Sequence, residues 1–310
     1  MSRKVLSVVI PVYFNAESLP LLFTELQRLE QQLNSRDVDM ELIFVNDGSG
    51  DNSLEELLRI KSTRPKTKVI SLSRNFGAVA ASKTGFQFAT GDALVIQSAD
   101  LQDPTEQIAL MVDHWLAGNK FVLSARASRG DPPVTRMFAW IYYRILELAV
   151  VKGYPQNGFD LMLLDKAMLP YMKSSTKHTN PNLYAYWLGF NPVTLYYNRR
   201  KRQHGKSRWT FWKKVGFLVD TVSGFSVAPI RVLSAFGFIV ALGSFIYGIN
   251  IVLAGLLGAI PVRGFATLAA LISFFSGLIL VMLGVLGEYL WRVFDAVNNK
   301  PESVIDEAFL

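Results

Sequence analysis

Two long stretches without charge near the carboxyl end limit what this 310-residue chain can fold into. The first runs from Val232 to Val262 and the second from Gly264 to Gly287, and only Arg263 separates them. Each is longer than the ~20 apolar residues that an α-helix needs to cross the hydrocarbon core of a bilayer. Helices in the core of a soluble protein are seldom so long and so evenly apolar. We therefore predict two transmembrane helices within residues 230–293.

The charges beside these stretches predict how the chain is oriented in the membrane. Eight Lys and Arg residues, with no Asp or Glu, lie between Arg199 and Lys214. Because an excess of basic residues marks the cytoplasmic ends of membrane helices, we predict a multi-pass protein of the plasma (inner) membrane with both termini in the cytoplasm. Residues 1–208 would form a cytoplasmic domain, residues 209–229 a juxtamembrane amphipathic helix, and residues 294–310 a cytoplasmic tail. Nucleic acid is not predicted as a partner, because no nucleic-acid-binding motif accompanies the basic stretch.

The chain before these stretches alternates short apolar segments with segments of helical periodicity. Strands are predicted at Leu6–Tyr13, Met40–Asn46, Val69–Ser73, Ala93–Ser98, Phe121–Ala125, Phe159–Leu164 and Val193–Tyr197. Helices are predicted at Leu19–Leu33, Asn52–Ile60, Gly77–Ala89, Pro104–Ala117 and Thr135–Val151. This order is typical of right-handed βαβ units and predicts an α/β fold with a doubly wound, mostly parallel sheet.

Polar residues follow four of the predicted strands, in segments 13–17, 46–49, 73–75 and 97–104. Ligands of doubly wound sheets bind at the carboxyl ends of the strands, and we therefore expect the four segments to face one crevice. The sequence lacks the phosphate-binding G-x-x-x-x-G-K-[ST] motif, a G-x-G-x-x-G motif after its first strand, and the G-x-S-x-G nucleophile motif. Its three His residues are widely spaced and it has no Cys, so acidic and amide side chains remain as the candidates for chemistry.

The segment Q-S-A-D-L-Q-D-P, after the fourth predicted strand, carries two carboxylates with different predicted roles. Asp103, Pro104 and Glu106 have the spacing of a helix start with Asp at the N-cap, which predicts a structural role. Asp100 has no such role. Together with the amide oxygen of Gln102, it suits Mg²⁺ or Mn²⁺ whose other positions are filled by substrate phosphates and water. The segment therefore indicates a metal–diphosphate substrate.

Asp47, in the segment V-N-D-G-S-G-D, allows two interpretations. Its carboxylate could accept hydrogen bonds from a base or a ribose, or it could belong to an ordinary strand-to-helix turn. Asp51 in the same segment is most simply the N-cap of the following helix.

Several motifs, taken in their order and spacing, resemble glycosyltransferase family 2. They are V-I-P-V-Y-F-N-A-E-S-L, V-N-D-G-S-G-D, L-S-R-N-F-G, A-D-L-Q-D-P and G-F-D-L-M-L-L-D. The basic segment R-x-x-G-K-S-R-W (Arg202–Trp209) and the two apolar stretches extend the resemblance to the polyisoprenyl-phosphate glycosyltransferases, which are dolichyl-phosphate-mannose-synthase-like enzymes. The chain is most similar to the bacterial undecaprenyl-phosphate glucosyltransferases of that group. The resemblance implies a GT-A-type fold.

The resemblance also implies roles for individual residues. The nucleotide sugar would be held by Pro11, Tyr13, Glu17, Asp47, Asn75 and Asp100, and the metal ion, Mg²⁺ or Mn²⁺, by Asp100 and Gln102. Phosphates of the acceptor or donor would be bound by Arg126, Arg129, Arg202 and Ser207, and Asp160 would lie near the acceptor. Asp160 is then either a general base or a positioning carboxylate. The chain departs from the family at Ser98 and Ala16, where acidic residues are common.

The implied reaction is the transfer of glucose from UDP-glucose to undecaprenyl phosphate, with inversion at the sugar. Close relatives use other nucleotide sugars, so the sugar stays open. A processive polysaccharide synthase is a second possibility, but it normally has more membrane helices than the two predicted. A non-enzymatic subunit of a lipid flippase is a third, and Ser98 is the one feature that favours it. Glycines along the two apolar stretches allow close helix contacts and predict a homo-oligomer.

Overall fold

The computed structural model describes residues 3–127, 158–177, 179–198, 224–257, 264–298 and 300–310, together with residues 140, 143, 144, 146, 147, 153–155, 200, 216, 221 and 222. These residues form two compact units. The first comprises Met1–Thr221 with Pro301–Leu310, and the second comprises Val222–Lys300.

The described helices and strands follow the alternation that the sequence predicts, and the helix predicted at Thr135–Val151 lies largely outside the described residues. In chain order they are β1 (Lys4–Val12), α1 (Leu19–Asn34), β2 (Val38–Asn46), α2 (Ser53–Thr63), β3 (Lys68–Leu72), α3 (Ala78–Phe88), β4 (Ala93–Ile96), α4 (Glu106–Leu116), β5 (Phe121–Arg126), β6 (Phe159–Asp165), α5 (Leu169–Lys173), α6 (Pro181–Trp187), β7 (Val193–Tyr197), α7 (Ala228–Leu256), α8 (Phe265–Val297) and β8 (Ile305–Phe309).

Within the described residues, eight strands form one mixed sheet in the order β7-β5-β6-β4-β1-β2-β3-β8. Strands β4, β1, β2 and β3 pair in parallel, and so do β5 and β7. Strand β6 runs antiparallel to β4 and β5, and β8 runs antiparallel to β3. The predicted α/β fold with a mostly parallel sheet is therefore confirmed, and β6 and β8 make the sheet mixed.

The core explains why the first strand and helix form where the sequence predicts them. Strand β1 is apolar at nearly every position, which is typical of a parallel strand that is covered on both faces. Helix α1 buries five leucines that recur every three or four residues and so share one face: Leu19, Leu22, Leu26, Leu29 and Leu33. Each leucine taken out of water stabilises the fold by roughly 1.5–3 kcal/mol. This packing fixes the amino end of α1 beside the loop that follows β1.

Residues Ile305–Phe309 form a strand, β8, that is not predicted from the sequence. Strand β8 pairs with β3 at the edge of the sheet, and the backbone N–H of Ser73 donates to the carbonyl of Val304 at 3.0 Å. The ammonium of Lys83, which is 6% exposed, pairs with the carboxylate of Glu302 at 2.5 Å. The tail predicted for residues 294–310 is thus divided, because α8 extends to Val297 and residues 301–310 join the first unit.

The second unit contains the two apolar helices that the sequence predicts. Pro229–Tyr247 within α7 and Phe274–Val297 within α8 are long and apolar enough to cross a membrane, judged by length and composition. None of the residues in these windows is buried within the protein. The orientation of the helices in a membrane stays a prediction. The juxtamembrane helix predicted for residues 209–229 falls largely outside the described residues.

Candidate active site

The loops after β1 and β2 lie side by side at the carboxyl ends of the parallel strands. The backbone N–H of Phe14 donates to Ser49 Oγ at 3.1 Å, and that of Asn15 donates to Ser53 Oγ at 2.9 Å. The N-cap residue of α2 is Asn52, so the prediction that Asp51 is the N-cap is wrong. Asp51 accepts the backbone N–H of Ser53 and also that of Ala16 in the loop after β1. Two of the four polar segments are thereby joined by hydrogen bonds. Of the residues predicted to hold the nucleotide in this region, Pro11 and Tyr13 are partly buried and Glu17 is exposed.

Asp47 joins the loop after β2 to the loop after β3. Its carboxylate is 1% exposed and accepts three hydrogen bonds, from Asn75 Nδ2 at 2.8 Å and from the backbone N–H groups of Phe76 at 2.7 Å and Gly77 at 2.9 Å. Burial raises the pKa of Asp47, and the two backbone donors offset only part of that rise. Asp47 and Asn75, both predicted to hold the nucleotide sugar, are therefore in direct contact. Recognition of a base by Asp47 stays a prediction.

The loop after β4, residues 97–103, is held by hydrogen bonds to its backbone. Gln97 is fully buried, and its Nε2 donates to the carbonyls of Ser98 at 3.3 Å and Asp103 at 2.9 Å. Ser18 Oγ donates to the carbonyl of Ala99 at 2.8 Å. Leu101 adopts a φ of +60°, a conformation that costs a non-glycine residue roughly 1–2 kcal/mol and that often marks functional sites. The surrounding contacts hold this loop in a strained shape that its own backbone does not favour.

Asp100 and Gln102 lie on this loop, and their donor atoms suit a hard divalent cation. Asp100 Oδ1 accepts from Ser98 Oγ at 3.0 Å and from the backbone N–H of Gln102 at 3.2 Å. The Gln102 Nε2 atom donates to the carbonyl of Arg200 at 3.4 Å, so the oxygen is the end of this amide that suits a cation. A carboxylate and an amide oxygen fit Mg²⁺ or Mn²⁺. No three His, Cys, Asp or Glu residues gather as a metal site in the described part of the chain.

The prediction that Asp103 is a helix cap is wrong. Helix α4 begins at Glu106, its N-cap residue is Thr105, and no side chain caps it. Asp103 is 2% exposed and instead accepts from Ser98 Oγ at 2.7 Å and from the Tyr197 hydroxyl at 2.6 Å. The helix starts two residues later than the capping pattern requires. The Asp103 carboxylate thus contacts the loop after β4 and strand β7.

Asp160 and Arg126 form a two-bond ion pair across the neighbouring strands β6 and β5. Arg126 Nε donates to Asp160 Oδ2 at 2.6 Å and Nη2 donates to Oδ1 at 2.7 Å. The side chains are 21% and 24% exposed, so water screens the pair only partly. Burial by itself lowers the pKa of Arg126, but the bonds and charge of Asp160 outweigh burial and raise the pKa above its usual value. The guanidinium stays charged, as binding of a phosphate requires.

Tyr197 connects this ion pair to the loop after β4. Its hydroxyl lies 2.6 Å from Asp103 Oδ1 and 3.1 Å from Asp160 Oδ2. Burial raises the pKa of the Tyr197 phenol, and the two nearby carboxylates raise it further. Tyr197 is not among the functional residues that the sequence predicts. The alternation of β7 signals only that its side chain is buried.

Three predicted phosphate-binding residues, Arg129, Arg202 and Ser207, lie outside the described residues. Arg200, at the start of the basic stretch, is described and contacts the loop after β4. Its backbone N–H donates to the carbonyl of Gln102 at 3.0 Å, and its guanidinium pairs with Glu25 and Glu106. The basic stretch therefore begins beside the loop that carries Asp100.

The fold and this site define the class of protein. Residues 7–179 match the sequence profile of Glycosyl transferase family 2, and the chain belongs to that family. It is a glycosyltransferase, and the resemblance seen in the motifs is confirmed.

Two relatives match over nearly the whole chain. One is the uncharacterized glycosyltransferase sll0501 of Synechocystis sp., which is 33% identical over 97% of this chain and 95% of its own length. Another is the SfII prophage-derived bactoprenol glucosyl transferase of Shigella flexneri, which is 30% identical over 98% of each chain.

A solved structure supports the fold alone. The mannosyltransferase of Pyrobaculum calidifontis in complex with GDP-mannose and Mn²⁺ superimposes with a TM-score of 0.51 over 94% of this chain and 88% of its own, at 16% identity. The expectation of a GT-A-type fold is confirmed.

Proposed function

We propose that this glycosyltransferase moves glucose from UDP-glucose to undecaprenyl phosphate and yields a lipid-linked sugar. Bactoprenol in the name of the Shigella relative denotes a polyprenol, and that relative matches 98% of this chain. The two apolar helices would hold the protein in the membrane where such a lipid lies, with the catalytic unit and both termini in the cytoplasm. Mg²⁺ or Mn²⁺ would be the cofactor.

One observation carries this proposal. A carboxylate and an amide of the kind that suit a metal ion, and a guanidinium of the kind that suits an anion, lie at the ends of adjoining strands in the same sheet, since β4 pairs with β6 and β6 with β5. Asp100 and Gln102 follow β4, and Arg126 and Asp160 belong to β5 and β6. Transfer of a sugar from a nucleotide diphosphate to a phosphate brings two anionic substrates together. It therefore needs both kinds of group close to each other.

The residues of the chain would divide the chemistry between donor and acceptor. When bound, the metal ion supplies positive charge to the leaving diphosphate. Arg126, which Asp160 holds by two hydrogen bonds, would orient the acceptor phosphate. An oxygen of that phosphate would attack the anomeric carbon as the bond to UDP breaks, which inverts the configuration of the sugar.

We infer that Asp160 positions Arg126 and is not a general base. A phosphate monoester with a second pKa of about 6 is already ionised at neutral pH and has little need of a base. Both carboxylate oxygens of Asp160 also accept hydrogen bonds from Arg126, and one contacts Tyr197. A carboxylate in this arrangement is well placed to orient its partners. Asp160→Asn should therefore lower turnover but keep the acid limb of the pH–rate profile. Loss of that limb would show that Asp160 is a general base.

The experiment uses the full-length protein in detergent with undecaprenyl phosphate and a panel of labelled nucleotide sugars. We expect transfer from UDP-glucose that depends on Mg²⁺ or Mn²⁺. Asp100→Ala should lower turnover more than about 100-fold at an unchanged melting temperature, because the only carboxylate of the proposed metal pair is removed. Asp39→Ala, at the amino end of β2, is the matched control, since it removes an exposed carboxylate and should keep wild-type turnover.

The same panel separates the alternatives. Transfer from a different nucleotide sugar would identify another donor for the same type of reaction. Growth of a polymer longer than one sugar would show a processive synthase. No transfer from any donor would contradict an enzyme of this kind and favour a flippase-associated subunit. The proposed homo-oligomer would be refuted by a purely monomeric species in mild detergent.

A further inference from the structure

A continuous line of buried and partly buried polar contacts runs from the loop that carries Asp100 to the Arg126–Asp160 ion pair. Ser98 Oγ contacts Asp100 and Asp103, and the Tyr197 hydroxyl contacts Asp103 and Asp160. The residues come from three different strands or their following loops. Neither Asp103 nor Tyr197 is needed as a ligand of a substrate or metal in the proposed reaction.

The sheet places Tyr197 directly beside Arg126. Strands β5 and β7 are parallel neighbours, and Arg126 and Tyr197 are register partners at their carboxyl ends. Tyr197 is 4% exposed, whereas Tyr196 before it is 68% exposed because successive strand residues point to opposite faces. The register therefore determines that Tyr197, and not Tyr196, contacts the ion pair.

The Tyr197 hydroxyl separates two carboxylates that would otherwise face each other. Asp103 Oδ1 and Asp160 Oδ2 both contact this one oxygen, so they lie no more than about 6 Å apart. Like charges at this separation repel, and burial weakens the screening by water. A phenol has one proton, which it can share between these two acceptors and give to no other group.

We propose that Tyr197 is a positioning residue for sugar transfer. Its hydroxyl holds Asp160, and through Asp160 the Arg126 guanidinium, at a fixed place relative to Asp103 and the loop that carries Asp100. This role rests on the proposed function, because it assumes that the loop binds the donor and that Arg126 binds the acceptor. Tyr197 acts on the alignment of the two substrates and touches neither of them.

Tyr197→Phe tests this role, because it removes the hydroxyl and keeps the ring. We expect kcat to fall about 10- to 100-fold, as for the loss of one hydrogen bond to a charged group. The donor KM and the affinity for Mn²⁺–UDP measured by calorimetry should stay within about twofold of wild type. Tyr196→Phe, in the same strand on the opposite face, is the matched control and should keep wild-type kcat. Equal kcat values in the two variants would overturn the proposal.

A double variant tests whether the Tyr197 hydroxyl relieves the repulsion between Asp103 and Asp160, even if the single variants lose some stability. Asp103→Asn removes one of the two negative charges and keeps an acceptor for the hydroxyl. In the Tyr197→Phe background it should raise kcat, because the repulsion that the lost hydroxyl had relieved is removed. If the fold-losses of kcat in the two single variants simply multiply in the double variant, positioning by Tyr197 is contradicted. A single Asp103→Asn variant as inactive as Asp160→Asn would also contradict it, since Asp103 would then have a role of its own.

These outcomes are distinguishable from failure of the proposed function. If the wild-type protein neither binds Mn²⁺–UDP nor transfers sugar, the proposed function fails. If the wild type does both and Tyr197→Phe behaves like Tyr196→Phe, only the role of Tyr197 fails.

Discussion

The Arg126–Asp160 ion pair allows a quantitative test of how much burial strengthens an ion pair in this protein. Arg126→Met removes the guanidinium and keeps a side chain of similar length. Asp160 then retains its negative charge in a place where three quarters of its side chain is out of water. The variant should be destabilised, because a partly buried charge loses its partner.

The size of the effect follows from geometry and exposure. Removing one partner of a fully buried pair costs about 3–5 kcal/mol, and the side chains here are 21% and 24% exposed. We therefore expect a loss of about 2–3 kcal/mol in the free energy of unfolding of the first unit. For a unit of this size, 1 kcal/mol corresponds to about 2–4 °C, so the melting temperature should fall by about 5–10 °C.

The assay is a double-mutant cycle on the full-length protein in detergent, with unfolding followed by tryptophan fluorescence. The double variant Arg126→Met, Asp160→Asn should be more stable than the sum of the single losses predicts, because the carboxylate that lost the Arg126 guanidinium no longer carries a charge. The pair Arg36–Asp113 is the control. It also has two hydrogen bonds, of 2.6 and 3.0 Å, but its side chains are 29% and 46% exposed. Its coupling should be at most about 1 kcal/mol.

Two results would refute this reasoning. The first is additivity of the Arg126 and Asp160 losses within about 0.5 kcal/mol, which would show that the two groups do not interact in solution. The second is equal coupling in the two pairs, which would show that exposure does not control their strength.

Three further perturbations test the scaffold. Burial alone raises the pKa of the Glu41 carboxyl, but hydrogen bonds from Lys68 and other donors outweigh it and hold the pKa below its usual value. The stabilisation is therefore present above about pH 4.3, the unfolded pKa, and is lost as pH falls, so Glu41→Gln should lower the melting temperature at pH 6 and have a smaller effect at pH 3.5. Deleting residues 301–310 should lower the melting temperature, because strand β8 and its pairing with β3 are lost. Gly85→Ala should destabilise by about 1–3 kcal/mol, because an added Cβ would overlap the Val9 side chain.

Each of these three has a clear opposing result. An effect of Glu41→Gln that is equal at both pH values would contradict the lowered pKa. An unchanged melting temperature after the deletion would show that β8 does not stabilise the sheet. Wild-type stability of Gly85→Ala would show that the side chains packed around α3 can move to accommodate a Cβ without loss of stability.

Much of the fold could be predicted from local sequence patterns. The leucines of α1 recur at helical spacing, and the apolar stretches of β1 and β2 are short and uninterrupted, so both signals can be read within a window of some ten residues. Strand β8 could not be predicted in this way. Its five residues, I-D-E-A-F, become a strand only because the edge of β3 offers hydrogen-bonding partners more than 200 residues away in sequence.

The candidate site likewise contains residues that the local sequence predicts and residues that it does not. The sequence by itself singled out Asp100 and Gln102, because a carboxylate and an amide after a strand suit a metal ion whatever the rest of the chain does. It also selected Asp160, through the family motif. The capping pattern around Asp103 misled, because the N–H groups of Gln107 and Ile108 bond to carbonyls three residues earlier and α4 begins only at Glu106.

The sequence alone thus determined the alternation of strands and helices, the two apolar helices and the family, because each is set by patterns within short segments. Only the tertiary structure decided that Asp103, Tyr197 and Asp160 share one line of hydrogen bonds. These contacts join residues up to 94 positions apart. They depend on the order and register of β4, β6, β5 and β7, which arise when the sheet assembles around its core.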